Sequence, residues 1–298
     1  MPASTAFVRH ALLPPKRPPA GGGRAARKVP RLQILAWAVF AVFALATLQD
    51  VATNQRFQWA VVGQYLFDPT VIRGFLTTLW LTVVTMAIGV VLGIILAVMR
   101  VSSVLPFRAF SAAYLWFFRG TPVLVQLIFW YNLAALYPRY AFGIPFTGLT
   151  FFEGSFNDLI TPYTAAILGL GLNEGAYMAE IVRAGLESVG RGQREAAAAM
   201  GLSPARTMRL VILPQAMRFI VPPTGNQTIG MLKNTSIVSM VALSDLLYSV
   251  QTIYSRTFQT IPLLLVACAW YLLATTVLSA VQSRIEAHYN RGHTPRET

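Results

Sequence analysis

Asn173, Tyr177 and Glu180 are the polar residues of an otherwise apolar run, and at i, i+4 and i+7 they share one helical face. Glu174 sits beside that face. A later run carries Asn226, Gln227, Lys233, Asn234, Thr235 and Ser236, too polar a set to face hydrocarbon. An earlier one is interrupted by Arg119-Gly120-Thr121-Pro122, where Thr121 and Pro122 can begin a new helix. Ionisable groups at membrane depth cost a few kcal/mol or more, so they turn to a protein interior and are usually functional. Glu174 and Glu180 can hold an ammonium, and Lys233 or Arg119 can meet a carboxylate. A second role is open for Glu180. Neutralised by Lys233, or by Arg183 one turn away, it would be a strut between helices. Arg183 and Glu187 suit a solvated ion pair. His10, His288 and His293 have no ligand-like spacing to a second group, and no metal site is expected.

These groups need helices that cross a bilayer. Of 298 residues, 55% are hydrophobic and only 12% charged, about half the charge of an average soluble domain. A bilayer core takes about 20 helical residues to cross. Six apolar runs come near or exceed that: roughly 32–48, 76–99, 114–137, 163–182, 219–243 and 262–282. The expected fold is an all-α polytopic membrane protein of about six transmembrane helices. The net charge of +13 would fit nucleic acid were it clustered, but nineteen of the 24 basic residues fall on alternate sides of the six runs. That is the signature of orientation, and it puts both termini and the 195–214 loop in the cytoplasm. No nucleic-acid partner is expected.

Smaller signals fill in the organisation. Residues 1–31, rich in Pro, Gly, Ala and Arg, read as a disordered basic cytoplasmic tail. Residues 32–70 read as a first transmembrane helix, retained rather than cleaved, with an extracytoplasmic loop. Residues 71–286 read as the core, with a cytoplasmic loop at 188–214, and 287–298 as a second tail. Gly89 and Gly93 allow close helix approach, which favours packing within this chain over dimerisation. The segment 138–162 suits an extracytoplasmic crossover with an interfacial helix near 151–160. Pro222 and Pro223 should kink or delay the fifth run, and Pro262 should start the sixth. Cys268 is the only cysteine, so no disulfide forms within the chain.

The loop from Glu195 to Pro214, EAAAAMGLSPARTMRLVILP, is the other informative segment. Its alanines favour a first short helix. Gly201 lets the chain turn beyond the helix end. Ser203-Pro204 can start a second helix, running through Arg206, Met208, Arg209 and Val211 to a stop near Pro214. Two short helices at an angle, with small side chains on the first, suit a groove on a partner. An amphipathic pair resting on the membrane surface is the other reading.

Glu195-Ala196-Ala197, then Gly201, Val211 and Leu213-Pro214, with three, nine and one residues between, resembles the coupling-loop motif of ATP-binding-cassette (ABC) importer permeases. Arg119-Gly-Thr-Pro122, Asn173-Glu-Gly-Ala-Tyr177 with Glu180, Gly192-Gln193, Leu213-Pro-Gln-Ala216 and Lys233-Asn-Thr-Ser236 look like the polar amino acid (His/Glu/Gln/Arg/opine) permeases. The likeness spans about residues 70 to 285. Val211 stands in place of the usual isoleucine, Gly190 where proline is commoner, and the N-terminal tail has no counterpart.

The resemblance implies a type I importer transmembrane domain in a bacterial inner membrane, translocating polar amino acids. Glu195, Ala196, Ala197, Gly201, Leu213 and Pro214 would couple it to a separate ATPase. Arg119, Thr121, Asn173, Glu174, Tyr177, Glu180, Lys233, Asn234 and Thr235 would line the substrate path. Implied partners are an ATP-binding subunit dimer, a second permease subunit, a periplasmic or lipid-anchored solute-binding protein, the amino acid and membrane lipid. No phosphate-binding G-x-x-x-x-G-K-[ST] loop occurs, so ATP is expected on the partner and no cofactor in this chain. An ion-gradient-driven secondary amino acid transporter is the alternative. Neither a nucleophile motif nor a cofactor loop supports a membrane enzyme.

Overall fold

A computed structural model describes residues 31–144, 147 and 149–289; the expected N-terminal tail up to residue 30, and residues 290–298 of the expected C-terminal tail, lie outside them. The described residues fall into two units, divided after Gln55. In the first, α1 (Arg31–Thr53) is a 23-residue helix. Thr47 and Thr53 turn their hydroxyls onto carbonyls four residues earlier, which spares lipid an unsatisfied donor.

The second unit opens with α2 (Trp59–Tyr65) and α3 (Pro69–Val101). The long helix starts where Asp68 accepts from Thr70 N and Pro69 fills the first turn. α4 (Leu105–Gly120) and α5 (Val123–Tyr131) follow, with a 100° bend between them. The expected break at 119–122 is therefore present, and helix resumes directly after Pro122. After the single turn α6 (Leu133–Leu136) comes an antiparallel hairpin, β1 (Arg139–Gly143) with β2 (Thr150–Ser155), and another single turn, α7 (Phe156–Leu159). This corrects the interfacial helix expected near 151–160. Thr150, Phe151 and Phe152 are β-formers, and the pairing Tyr140↔Gly154 and Ala141↔Glu153 satisfies a backbone that four helical residues could not.

α8 (Pro162–Glu187) is opened by a capping box, Thr161 with Thr164. It packs along α3. A Cβ at Gly89 would come within 2.6 Å of Glu174 Cγ, one at Gly175 within 2.9 Å of Leu92 Cβ, and one at Gly93 would strike Met178. Small residues of both helices thus interleave within this chain, as expected of the Gly89–Gly93 spacing.

The segment expected in the cytoplasm holds α9 (Arg191–Ala199) and α10 (Pro204–Thr207). A π-helical turn at Met208–Ile212 then leads into α11 (Leu213–Asn234). Helix does not stop at Pro214, contrary to expectation. Proline lacks the N–H for the usual i→i−4 bond, and the wider π spacing just before it absorbs the gap. Nor do Pro222 and Pro223 delay the helix, since both lie inside α11. A 3₁₀ segment (Thr235–Val241) follows, then α12 (Leu246–Thr257) and α13 (Thr260–Tyr289), which begins two residues before Pro262.

Three helices, at 32–53, 69–101 and 260–289, are long and apolar enough to cross a membrane. The bent pairs 105–120 with 123–131 and 204–241 with 246–257 bring the number up to five. α8 has the length, at 26 residues, but its polar and small residues keep it off that count. It is packed among α3, α4, α5 and α11 instead. One core cluster, including Leu81, Met86, Leu127, Leu170, Met178 and Met231, ties α3, α5, α8 and α11 together.

Candidate functional site

The break between α4 and α5 opens beside α8 and α11, and a cavity of about 510 Å³ lies there. Its walls include Arg119, Thr121, Asn173, Glu174, Tyr177, Gln227 and Asn234. Six of the nine expected path residues therefore gather from three separate segments. Glu174 is 4% exposed, and its Oε1 accepts from Gln227 Nε2 at 3.2 Å. The Arg119 guanidinium lies 5.6 Å from the centre of the Tyr177 ring, a cation–π distance. Among the described lining residues, Arg119 is the cation and Glu174 the carboxylate.

Glu180 lies outside the lining. Its Oε2 takes bonds from Arg183 Nη2 at 2.6 Å and Nε at 3.0 Å, and its Oε1 stands 3.7 Å from Arg119 Nη1. Arg183 and Arg119, not Lys233, are thus the cations beside Glu180. Arg183 also reaches Glu187 at 2.7 Å, as expected of that pair. Lys233 is exposed and outside the lining, and Thr235 is fully buried with its hydroxyl on Leu232 O at 2.7 Å. Neither lines the cavity: successive side chains of a helix point in different directions, and of these three residues Asn234 is the one that faces it.

The cavity wall depends on a residue not singled out from the sequence. Gln126, 4% exposed, donates to Phe118 O, Thr121 O and Thr121 Oγ1 at 3.1, 3.1 and 2.7 Å. Asn173 Nδ2 donates to Phe118 O at 2.8 Å and to Gln126 Oε1 at 3.2 Å. The ends of a helix leave carbonyls without intrahelical partners, and these two amides serve them where α4 stops. Gln126 was findable as a lone amide in the run Val123–Tyr131. Gln227 is too polar for lipid by type, and only the fold brings it to Glu174 at the site.

Between α9 and α10, Gly201 has φ +75°, the left-handed region that favours glycine. Leu202 N bonds Ala197 O at 3.1 Å and Gly201 N bonds Ala198 O at 2.9 Å, the double closure of a Schellman end. The expected turn is present. Ser203 stands at the start of α10, though its side chain makes no cap bond. Ala197 is fully buried, whereas Glu195, Ala196, Gly201, Leu213 and Pro214 are exposed. Met200, Leu210 and Leu213, at 71%, 62% and 42% exposure, leave apolar surface on this loop.

Comparison with known proteins places this architecture. Residues 89–291 match the family model described as the binding-protein-dependent transport system inner membrane component. The arginine transport system permease protein ArgU of Corynebacterium glutamicum is 44% identical over 88% of this chain and 78% of its own length. The glutamine transport system permease protein GlnP of Escherichia coli is 34% identical over 78% of this chain and 97% of its own. A crystal structure of an amino acid ABC transporter with histidines aligns at TM-score 0.65 and 34% identity, over 76% of this chain and 97% of that one. The inward-facing MetNI methionine ABC transporter, 20% identical, shares the fold at TM-score 0.58. The chain belongs to the inner membrane components of binding-protein-dependent transport systems, the permease subunits of ABC importers.

Proposed function

We propose that this chain is the membrane-spanning subunit of an ATP-driven importer of polar amino acids in a bacterial inner membrane. The observation that carries the cargo class is the cavity holding both Arg119 and Glu174. A free amino acid is zwitterionic, so its passage needs a donor for the carboxylate and an acceptor for the ammonium. The relatives named for arginine and glutamine transport support the same class. Thr121, Asn173, Tyr177, Gln227 and Asn234 supply further polar contacts. Glu180, Lys233 and Thr235 act from outside the cavity, Glu180 by holding Arg119.

The exposed loop 195–214 is the docking surface for a separate ATPase subunit. ATP is bound there, on the partner, and this chain holds no cofactor. Two permease subunits, identical or paired with a relative, enclose the path, and a solute-binding protein delivers cargo from outside. ATPase closure moves α9 and α10, and α10 runs by unbroken helix into α11, which carries Gln227 and Asn234. ATP must favour the outward-open state more than the inward-open one, since a ligand shifts an equilibrium only by its differential affinity.

Vesicles holding this polypeptide with its ATPase and binding protein should take up a polar amino acid uphill only when ATP is supplied. Uphill uptake by the polypeptide alone would overturn the reading and restore the ion-gradient alternative.

A further inference from the structure

Asp245 is a carboxylate that neither the cavity nor the coupling loop uses. It is fully buried, and no described cation pairs with it. It stands where the long helical run 204–241 bends by 46° into α12. Just before it, Ala242 has φ 55°, so the chain reverses through a left-handed residue that is not glycine.

Four segments close on this point. Asp245 Oδ1 accepts from Tyr248 N at 2.8 Å, capping α12. Its Oδ2 accepts from the Tyr271 hydroxyl of α13 at 3.4 Å. Leu246 N donates to Thr78 Oγ1 of α3 at 3.1 Å. Leu243 N bonds Val238 O of the 3₁₀ segment at 3.3 Å. Gly74 of α3 lies so close that a Cβ there would come within 2.6 Å of Asp245 O and strike Ser249. The joint leaves no room to slide.

We propose that Asp245 is the positioning residue of the transport cycle: it pins the far end of the 204–241 helical run to α13, beside the point where Leu246 N is held by Thr78 of α3. The run then has three working points in order. Its start lies in the coupling loop, its middle carries Gln227 and Asn234 at the cavity, and its end is fixed at Asp245. A push on a rod held at the far end swings the middle; a push on a free rod is spent in sliding. The proposal rests on the importer reading above and adds where the motion is anchored.

The test is uptake and ATP hydrolysis measured together in vesicles carrying the full chain, its ATPase and its binding protein. Asp245→Ala removes cap and clamp, Asp245→Asn keeps an acceptor for Tyr248 N, and Tyr271→Phe removes only the α13 link. Uptake per ATP hydrolysed should fall about fivefold or more in Asp245→Ala and Tyr271→Phe, the low end of a coupling between sites. Asp245→Asn should recover most of it. Should Asp245→Ala fail to assemble, Tyr271→Phe decides. An unchanged ratio in Tyr271→Phe, or uptake and hydrolysis falling in proportion, overturns the proposal. Failure of the wild-type chain to couple uptake to ATP would instead sink the importer reading.

Discussion

Replacing Gly201 tests whether the turn between α9 and α10 is a rigid element or a mere connection. A Cβ built there finds no atom within 4 Å, so a side chain meets no clash and the penalty is confined to the backbone at φ +75°. For alanine it is about 1 kcal/mol, and for β-branched valine about 2 kcal/mol, because the left-handed region crowds Cβ against the following carbonyl. Asparagine tolerates the region and costs least. At about 1.4 kcal/mol per factor of ten, the closed turn loses roughly fivefold against opened forms in the alanine variant and about thirtyfold in the valine one. The strain sits in an exposed loop, so the amount of protein in the membrane should not change. In vesicles with the ATPase and binding protein, uptake per ATP should fall in the order Gly, Asn, Ala, Val. A valine variant that transports like the wild type would refute the argument, and so would losses that ignore backbone strain.

Four further outcomes follow from particular contacts. Gln126→Leu strands the Thr121 carbonyl and leaves Phe118 O to Asn173 alone, at about 1–3 kcal/mol, so the yield of folded protein after detergent extraction should drop and the Tm with it. Gly93→Ala forces a methyl into Met178, and overpacking of this kind costs about 1–3 kcal/mol; thermal unfolding should shift downward, while Gly192→Ala, which meets nothing within 4 Å, should leave it unmoved. Glu180→Gln keeps shape but weakens the hold on Arg119 and Arg183. It should leave expression near normal and change substrate preference, and loss of folded protein would instead mark the residue as purely a strut. With Cys268 replaced by alanine, a cysteine at Met200, 71% exposed, should react with impermeant maleimide only from the cytoplasmic face; labelling from outside would invert the topology.

What the sequence made legible was local. The turn at Gly201 and the start at Ser203-Pro204 are signalled by residues within a few positions of each other, and both are present. The Asn173–Tyr177 face follows from helical period alone. The break at 119–122 is announced by Thr121 and Pro122. The hairpin was not legible, because Phe151-Phe152 suits either an interfacial helix or a strand, and what decides is pairing with the remote Arg139–Gly143. Pro214 misled because a proline normally ends a helix, and the π turn that carries the chain through it has no sequence rule. Lys233 and Thr235 were placed in the path by type, yet the helical phase at 233–235 admits only Asn234. Asp245 carries a readable signal, a cap residue just before Leu246-Leu247, but its burial depends on Tyr271, 26 residues away, and on the bond from neighbouring Leu246 to Thr78 across 168 residues.

The bend between α4 and α5 shows why those remote partners matter. Non-helical backbone at membrane depth survives only where protein or a water-filled cavity receives its polar groups. α4 stops inside an apolar run, leaving carbonyls that lipid would punish. Thr121 Oγ1 donates to Phe117 O at 2.8 Å, Gln126 and Asn173 serve Phe118 O, and Gln126 also serves Thr121 O. Gly120, just past them, lines the cavity. The amides that make the break affordable are thus the ones that fix where the cavity opens, and Asn173 belongs to both. Loss of either amide should therefore reduce stability and transport together, whereas loss of Glu174, which supports no broken backbone, should reduce transport while the fold survives.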